Sequence, residues 1–195
     1  MIIGIIQASG FSTRMKEDKL LLEIDGIKVI ERVVKACKES NLDDVILIYR
    51  RDEVKEIGNK YNIRTIYNEK AHLGQSEGLK LGVKEAEGST AYMFLVGDQP
   101  LLTSTIIDKL LKEYKESNST ILVPYYNGNK GMPMIISSEF KEELLKIVGD
   151  KGGRDIVKDN IHIVKKVYFE DENLGVDIDT QEDIHRLRGG PISKK

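Results

Sequence analysis

Apolar and polar positions along the chain fall into blocks that predict strands and helices in alternation. The runs at residues 2–6 and 91–96 are apolar without a break, which is typical of strands covered on both faces. Further strands are predicted at residues 44–50, 63–67, 120–126, 133–137 and 161–169. Apolar stripes and polar intervals predict helices at residues 29–39, 53–60, 76–85, 105–116 and 139–148, a short helix after Gly153 and a final helix from Thr180.

This alternation predicts an α/β fold, a Rossmann-like α/β/α sandwich around a mostly parallel sheet. The strand that follows the turn "NGNKG" lies close enough to its predecessor to pair antiparallel, so we expect a mixed sheet. No linker or repeat interrupts the pattern. We expect a single domain over residues 1–188, with a disordered tail at residues 189–195. In such sheets, ligands bind beyond the carboxyl ends of the strands.

Composition narrows the class of protein. Of the 195 residues, 40% are hydrophobic and 32% charged, and the formal charge is −2, which argues against a nucleic-acid partner. The single cysteine, Cys37, lies on an apolar helical stripe, so we expect it to be buried, and a reducing cytoplasm is the natural compartment. The opening apolar run is too short to span a membrane and has no basic leader, so neither a membrane nor a targeting role is expected.

The first loop, within "QASGFSTRMKEDKLLL", has the composition of an anion-binding turn. Gly10, Ser12 and Thr13 allow the backbone to turn closely and direct its N–H groups inward. Arg14 and Lys19 add positive charge for phosphate oxygens. The loop matches neither a P-loop nor a dinucleotide fingerprint. The competing interpretation is a solvent-exposed connection with incidental basic residues.

Two acidic segments are candidates for a metal site. Asp98, in "FLVGDQP", comes just after a buried strand and suits Mg²⁺, which takes one or two carboxylates together with phosphate oxygens. Asp177 and Asp179, in "GVDIDTQED", share one side of an extended segment, where a cation would relieve their repulsion. The alternatives are a turn or capping aspartate at position 98 and a solvent-exposed acidic face at 177–179.

Three weaker candidates are segments whose glycines and polar groups would also suit ordinary turns. Residues 68–79 offer amides and hydroxyls before a helix, for a base edge or a phosphate. Residues 127–133 form a glycine turn, and residues 149–154 place glycines and an arginine before a helix N-terminus, which favours anions.

Taken together, these segments resemble the molybdenum cofactor cytidylyltransferases, in the same superfamily as the molybdenum cofactor guanylyltransferases. The resemblance covers about residues 2–186 and implies a fold of the nucleotide-diphospho-sugar transferase type. The motifs that carry it stand in the family's order as "ASGFSTRMKEDKLLL", "LVGDQP", "GMP", "GDKGGR" and "DIDTQED".

The resemblance implies transfer of a cytidylyl group from CTP to a molybdopterin-type cofactor, with release of pyrophosphate. It implies catalysis by Arg14, Lys19 and Asp98, and Mg²⁺ held by Asp98 and Asp179, with Asp177 as the alternative to Asp179. The implied nucleotide-binding residues are Ala8, Ser9, Gly10, Phe11, Ser12, Thr13, Arg14, Lys19, Gly74 and Ser76. The implied acceptor-binding residues are Gly131, Met132, Pro133, Gly153 and Arg154. The resemblance also implies a protein partner, a molybdenum hydroxylase, which the chain would contact transiently.

The chain departs from that family at four positions. Lys16 replaces a glycine, Met132 replaces the usual histidine, and Gly78 stands where a serine is usual. Ser9 replaces an alanine, or the second glycine of the guanylyl enzymes. The alternatives therefore include a guanylyltransferase, a sugar or polyol phosphate nucleotidyltransferase, and a non-catalytic carrier of the molybdenum cofactor.

Overall fold

The computed structural model describes residues 1–11, 18–178, 182–183 and 187, and within that part the predicted alternation is confirmed. The strands are β1 (Ile2–Ala8), β2 (Glu23–Ile24), β3 (Ile27–Lys28), β4 (Asp44–Tyr49), β5 (Arg64–Tyr67), β6 (Ala91–Val96), β7 (Ile121–Tyr126), β8 (Asn129–Lys130), β9 (Met134–Ser137) and β10 (Val164–Phe169). The α-helices are α1 (Val29–Lys38), α2 (Asp52–Lys60), α3 (Gln75–Glu85), α4 (Ser104–Glu116), α5 (Lys141–Lys146) and α6 (Arg154–Asp159). Short 3₁₀ turns occupy Lys19–Leu21, Ala71–Leu73, Ser138–Phe140, Ile161–Ile163 and Glu172–Gly175.

The main sheet has the strand order β10-β7-β9-β6-β1-β4-β5, with β8 paired to β7. Strand β1 is central and pairs in parallel with both β4 and β6. Strand β9 is antiparallel to β6 and to β7, which confirms the expected mixed sheet. The carboxyl ends of β1, β4 and β6 therefore meet at one edge, where Ala8 is in register with Tyr49 and Gln7 with Val96.

Helices cover both faces of the sheet and make three layers. Alternate residues of β1 point to opposite sides, since Ile6 packs in one core and Ile5 in the other. The first core is closed by α1, α2 and α4, and the second by α3, α5 and α6. Cys37 is buried as expected, and burial raises the pKa of its thiol above the usual range.

Several predicted boundaries were wrong in detail. The helix predicted at residues 139–148 ends at Lys146 and starts as a 3₁₀ turn, and the strand predicted from residue 161 begins at Val164. The hairpin of β2 and β3 was not predicted, although its turn residues Asp25 and Gly26 adopt φ angles of 52° and 75°, which this residue pair favours. The start of the helix predicted from Thr180 and the tail 189–195 lie outside the described residues.

The described helices include none with the length and apolar character needed to cross a bilayer.

Candidate active site

A cleft of about 700 Å³ opens at the edge where β1 and β6 end. The two strands finish together because the Gly97 N–H donates to the Gln7 carbonyl at 3.1 Å. Residues 8–11 and 19–20 form one wall and residues 71–75 form another. The lining residues are Gln7, Ala8, Ser9, Gly10, Phe11, Lys19, Leu20, Ala71, His72, Leu73, Gly74, Gln75, Val96, Gly97, Asp98 and Asp150.

Lys19 and Asp98, which belong to two separate motifs of the sequence, meet within this cleft. The Lys19 Nζ lies 2.5 Å from Asp98 Oδ2, and the side chains are only 20% and 16% exposed. The other carboxylate oxygen, Asp98 Oδ1, is buried and has no hydrogen-bond partner among the residues that the structure describes. A buried carboxylate oxygen without a partner is costly, whereas a bound cation would satisfy it. Asp98 therefore fits the role of a ligand to a divalent ion.

The C-terminal acidic segment lies beside Asp98. The Ile178 N–H donates to the Asp98 carbonyl at 3.0 Å, and the Gln99 Nε2 donates to Asp177 Oδ1 at 2.8 Å. Asp177 is exposed, and Asp179 lies outside the described residues. Among the described residues, no cluster of three or more histidine, cysteine or acidic side chains is arranged to hold a metal. Mg²⁺ in proteins is commonly bound by one or two carboxylates together with phosphate oxygens of the substrate.

Ser9, at the start of the first loop, makes a buried polar contact. Ser9 is only 7% exposed, and its Oγ accepts a hydrogen bond of 2.9 Å from Asn68 Nδ2. Phe11 is half exposed in the cleft, and the Arg50 guanidinium carbon lies 4.2 Å from its ring centroid. The predicted binding residues Ser12, Thr13 and Arg14 lie outside the described residues, so their roles stay predictions.

Gly74 and Ser76 occupy different places relative to the cleft. Gly74 lines it with a φ of 114°, and a Cβ there would lie 2.5 Å from the Gly149 carbonyl carbon, so the position requires glycine. Ser76 is fully buried behind the wall, where its N–H donates to the Gly149 carbonyl at 3.0 Å. Its Oγ finds no hydrogen-bond partner in the described ranges of the chain. The structure thus supports a cleft-lining role for Gly74 but not for the Ser76 side chain.

The predicted acceptor residues are not among those that line the cleft. The turn at Gly131 and Met132 packs on Tyr126, whose hydroxyl donates to the Met132 carbonyl at 2.8 Å. A Cβ on Gly131 would collide with the Tyr126 ring, and so would one on Gly175, two residues before Asp177. Burial raises the pKa of Tyr126 above its usual range, which keeps the hydroxyl protonated as a donor. Tyr126 thus connects the acceptor turn to the acidic segment beside Asp98.

The remaining predicted acceptor residues have simpler surroundings. Pro133 follows Met132 through a cis peptide bond. Gly153 is buried, and a Cβ there would stand 2.9 Å from Ile136 Cδ1, so close packing explains the glycine. Arg154 is exposed at the start of α6, and the structure gives no contact that brings it to the cleft.

Sequence reasoning missed several residues of the site. Gln7, Leu20 and Val96 line the cleft but read in the sequence as parts of strands or apolar runs. Asp150 also lines it, and its Oδ1 lies 3.4 Å from the Gln75 N–H at the start of α3. In its motif, "GDKGGR", the glycines and the arginine indicate an anion site, and the aspartate gives no such signal. No signal in one sequence tells which side of a loop will face a cleft.

Comparison with known proteins identifies a family and relatives for this chain. Residues 4–165 match the family model described as the MobA-like NTP transferase domain. A probable molybdenum cofactor guanylyltransferase of Thermococcus gammatolerans is 27% identical, with 97% of this chain and 100% of that protein covered. The bifunctional protein GlmU of Buchnera aphidicola is 26% identical over 86% of this chain. The matched region is only 36% of the length of GlmU.

Solved structures share the fold. A nucleotidyl transferase from Methanothermobacter superposes with a TM-score of 0.83 at 22% identity, covering 97% of this chain and 96% of that one. A manganese complex of a Mycobacterium tuberculosis protein gives a TM-score of 0.81 at 22% identity, covering 96% and 98%. The expected nucleotide-diphospho-sugar transferase type of fold is confirmed.

Proposed function

Because the chain belongs to the MobA-like NTP transferase family and is a nucleotidyltransferase, we propose that its acceptor is a molybdopterin-type cofactor and its donor CTP. The products would be the cytosine dinucleotide cofactor and pyrophosphate. The observation that carries the proposal is the Lys19–Asp98 pair, which lies in a cleft large enough for a nucleotide. Within the described part of the chain, the buried Asp98 Oδ1 has no hydrogen-bond partner.

In this reaction, a phosphate oxygen of the acceptor attacks the α-phosphorus in line. A new P–O bond forms there as the bond between the α-phosphorus and the oxygen that bridges to the β-phosphorus breaks, and pyrophosphate leaves with that oxygen. Such transfer depends on positioning and charge neutralisation more than on covalent chemistry by the protein. Lys19 would neutralise the phosphoryl oxygens and the leaving pyrophosphate, and Arg14 is proposed to assist.

Asp98 would hold the divalent ion through Oδ1, with Asp179 or Asp177 as the second carboxylate. When bound, the ion supplies positive charge that offsets the charge developing on the phosphoryl oxygens. We propose Mg²⁺ as the ion; the manganese-bound structural neighbour supports a divalent metal in this fold.

The choice of CTP rests on the first loop, which resembles the cytidylyl enzymes more than the guanylyl enzymes. At the position of the second glycine in the guanylyl enzymes, this chain has Ser9, whose side chain is held by Asn68. Phe11 and Leu73 both expose about half of their surface in the cleft and offer apolar contact to a base. GTP is the second candidate, because the relative from Thermococcus gammatolerans carries the guanylyltransferase name.

The experiment that tests the donor is thermal unfolding with CTP, GTP, UTP or ATP and Mg²⁺. A nucleotide at about 100 times its Kd adds about 2.7 kcal/mol, which raises Tm by roughly 5–10 °C in a chain of this size. We expect CTP to give the largest increase. An increase with GTP alone would overturn the cytidylyl assignment and leave the guanylyl candidate.

The acceptor is then tested by pyrophosphate release with molybdopterin, molybdenum-loaded molybdopterin and sugar phosphates. Release with a molybdopterin form and the preferred nucleotide is the expected result. Release only with sugar phosphates would replace the acceptor, and nucleotide binding without release from any acceptor would favour the carrier function. A cytoplasmic location and contact with a molybdenum hydroxylase are further parts of the proposal.

A further inference from the structure

Arg51 stands at the carboxyl end of β4, next to the first loop but outside the cleft lining. Strands β1 and β4 end in register at Ala8 and Tyr49, so the residues that follow them lie along the same edge of the sheet. None of the motifs that indicate nucleotide transfer includes Arg51.

Arg51 is linked to the first loop through Asp18. The Arg51 Nη1 lies 3.6 Å from Asp18 Oδ2, and the Asp18 side chain is only 7% exposed. A nearby cation stabilises the charge of a carboxylate that is so little exposed to water. On the solvent side, Arg51 Nη2 donates to Glu53 Oε1 at 2.7 Å. The hydrogen bond to Glu53, then the charge of Glu53 and after it the charge of Asp18, raise the pKa of Arg51 above its ordinary value, so the arginine stays charged.

Asp18 in turn organises the 3₁₀ turn that carries Lys19. Its Oδ1 accepts from the Leu20 N–H at 3.1 Å and caps the turn, and its carbonyl accepts from the Leu21 N–H at 3.0 Å. Lys19, the first residue of that turn, reaches Asp98 at 2.5 Å. A continuous series of contacts therefore runs from Arg51 through Asp18 and the turn to the Lys19–Asp98 pair.

We propose that Arg51 is a positioning residue for the transfer reaction, which acts through Asp18 to hold the turn that presents Lys19 to Asp98. This inference rests on the proposed function for its kinetic consequences but not for its structural ones. Because Arg51 does not line the cleft, its loss should affect the orientation of Lys19 rather than the capture of nucleotide.

The kinetic test is a double-mutant cycle of Arg51→Gln and Asp18→Asn, in which the asparagine can still cap the turn. We expect each single variant to lower kcat by roughly tenfold, as loss of an orienting partner typically does, with KM for the nucleotide changed less than about threefold. The double variant should be no slower than the slower single variant, because both substitutions break the same link. Arg51→Lys, which keeps the charge, should restore part of kcat.

The matched control is Glu53→Gln, which removes the negative charge of the solvent-side partner of Arg51 and leaves Asp18 untouched. It should keep wild-type kcat. Multiplicative losses in the double variant, or an equal loss in Glu53→Gln, would overturn the proposal, as would a rise in nucleotide KM with kcat unchanged.

A second readout needs no turnover. The Lys19 ¹⁵Nζ resonance, assigned with Lys19→Arg, should shift in Arg51→Gln and in Asp18→Asn, and should stay in place in Glu53→Gln. If the wild type transfers no nucleotide but these shifts appear, the proposed function fails and the positioning link stands. If the Lys19 resonance is unchanged in both variants while the wild type is active, the positioning link fails alone.

Discussion

Ser9 Oγ lies 3.1 Å from the point that a Cβ on Gly78 would occupy, so the loop serine occupies space next to helix α3 that a side chain at position 78 would crowd. Asn68 Nδ2 donates to that Oγ and would itself stand 3.4 Å from the added Cβ. Ser9 and Gly78 are two of the positions at which the chain departs from the family it resembles. Their contact makes them one packing change, in which a hydroxyl group on the loop accompanies the loss of one on the helix.

The effects of substitutions at Ser9 and Gly78 on the free energy of unfolding should be non-additive. Ser9→Ala leaves the buried Asn68 Nδ2 without its partner and should cost about 1–3 kcal/mol. In the wild type, the helix propensity that Gly78→Ala gains, about 1 kcal/mol, is offset by crowding against Ser9. In the Ser9→Ala background that gain should appear. The free energy of unfolding of the double variant, measured with denaturant, should therefore exceed the sum expected from the single variants by about 0.5–1 kcal/mol.

Gly82→Ala is the matched control for that cycle, since it adds a methyl group to the same helix against a different neighbour. Its Cβ would collide with Ile5 in the core, so it should destabilise equally in both backgrounds. An identical effect of Gly78→Ala with and without Ser9 would show that the two positions are independent.

Lys19→Gln should lower kcat by roughly 100-fold, because it removes a preorganised charge from the place where phosphoryl charge develops. Steady-state pyrophosphate release is the measurement. Lys60→Gln is the control, since Lys60 is an exposed lysine paired with Glu31 on α1, remote from the cleft lining. Equal activity of Lys19→Gln and the wild type would remove Lys19 from the reaction.

Tyr126→Phe should raise KM for the acceptor more than KM for the nucleotide. The substitution removes the hydrogen bond to the Met132 carbonyl and so loosens the acceptor turn, while the ring still packs against Gly131 and Gly175. Tyr125→Phe, on the neighbouring residue whose ring lies against Tyr168, provides the control. If nucleotide KM rises instead, Tyr126 serves the donor side of the cleft.

The pair of Glu31 and Lys60 should make stability depend on pH. The hydrogen bond with Lys60 lowers the pKa of Glu31 from its ordinary value of 4.5. A carboxylate with a lowered pKa stabilises the fold above the unfolded value, and the contribution is lost as pH falls through the folded value. The Tm of Glu31→Gln should therefore lie roughly 2–4 °C below that of the wild type at pH 7. The gap should begin to narrow near about pH 4.5 and close only as pH falls past the lowered pKa of Glu31.

Glu116→Gln tests whether that effect is specific to Glu31. Glu116 is exposed and lies 3.9 Å from Lys112 one turn away, so its substitution should leave Tm unchanged across the same pH range. A gap for Glu31→Gln that persists at low pH would mean that the charge of Glu31 is not its cause.

The sequence predicted the alternating fold well, because buried strands such as β6 leave an unbroken apolar run whose bounds match the structure. The sequence also predicted that the segments containing Lys19 and Asp98 lie at one edge of the sheet, since both segments follow parallel strands. It could not place the acceptor residues, whose positions depend on how the turn at Gly131 packs on Tyr126. Nor could it show the Ser9–Asn68 contact, which joins residues 59 positions apart through the register of β1, β4 and β5.

The central claim is that Asp98 holds the divalent ion of a bound nucleoside triphosphate, and Mn²⁺ binding tests it most directly. Electron paramagnetic resonance can follow Mn²⁺ uptake with a non-hydrolysable CTP analogue on the wild type and on Asp98→Asn, with Asp44→Asn as an exposed control. The account predicts that Asp98→Asn binds Mn²⁺ about tenfold more weakly or worse, while Asp44→Asn behaves as the wild type. Equal Mn²⁺ affinity in the wild type and in a folded Asp98→Asn would contradict it.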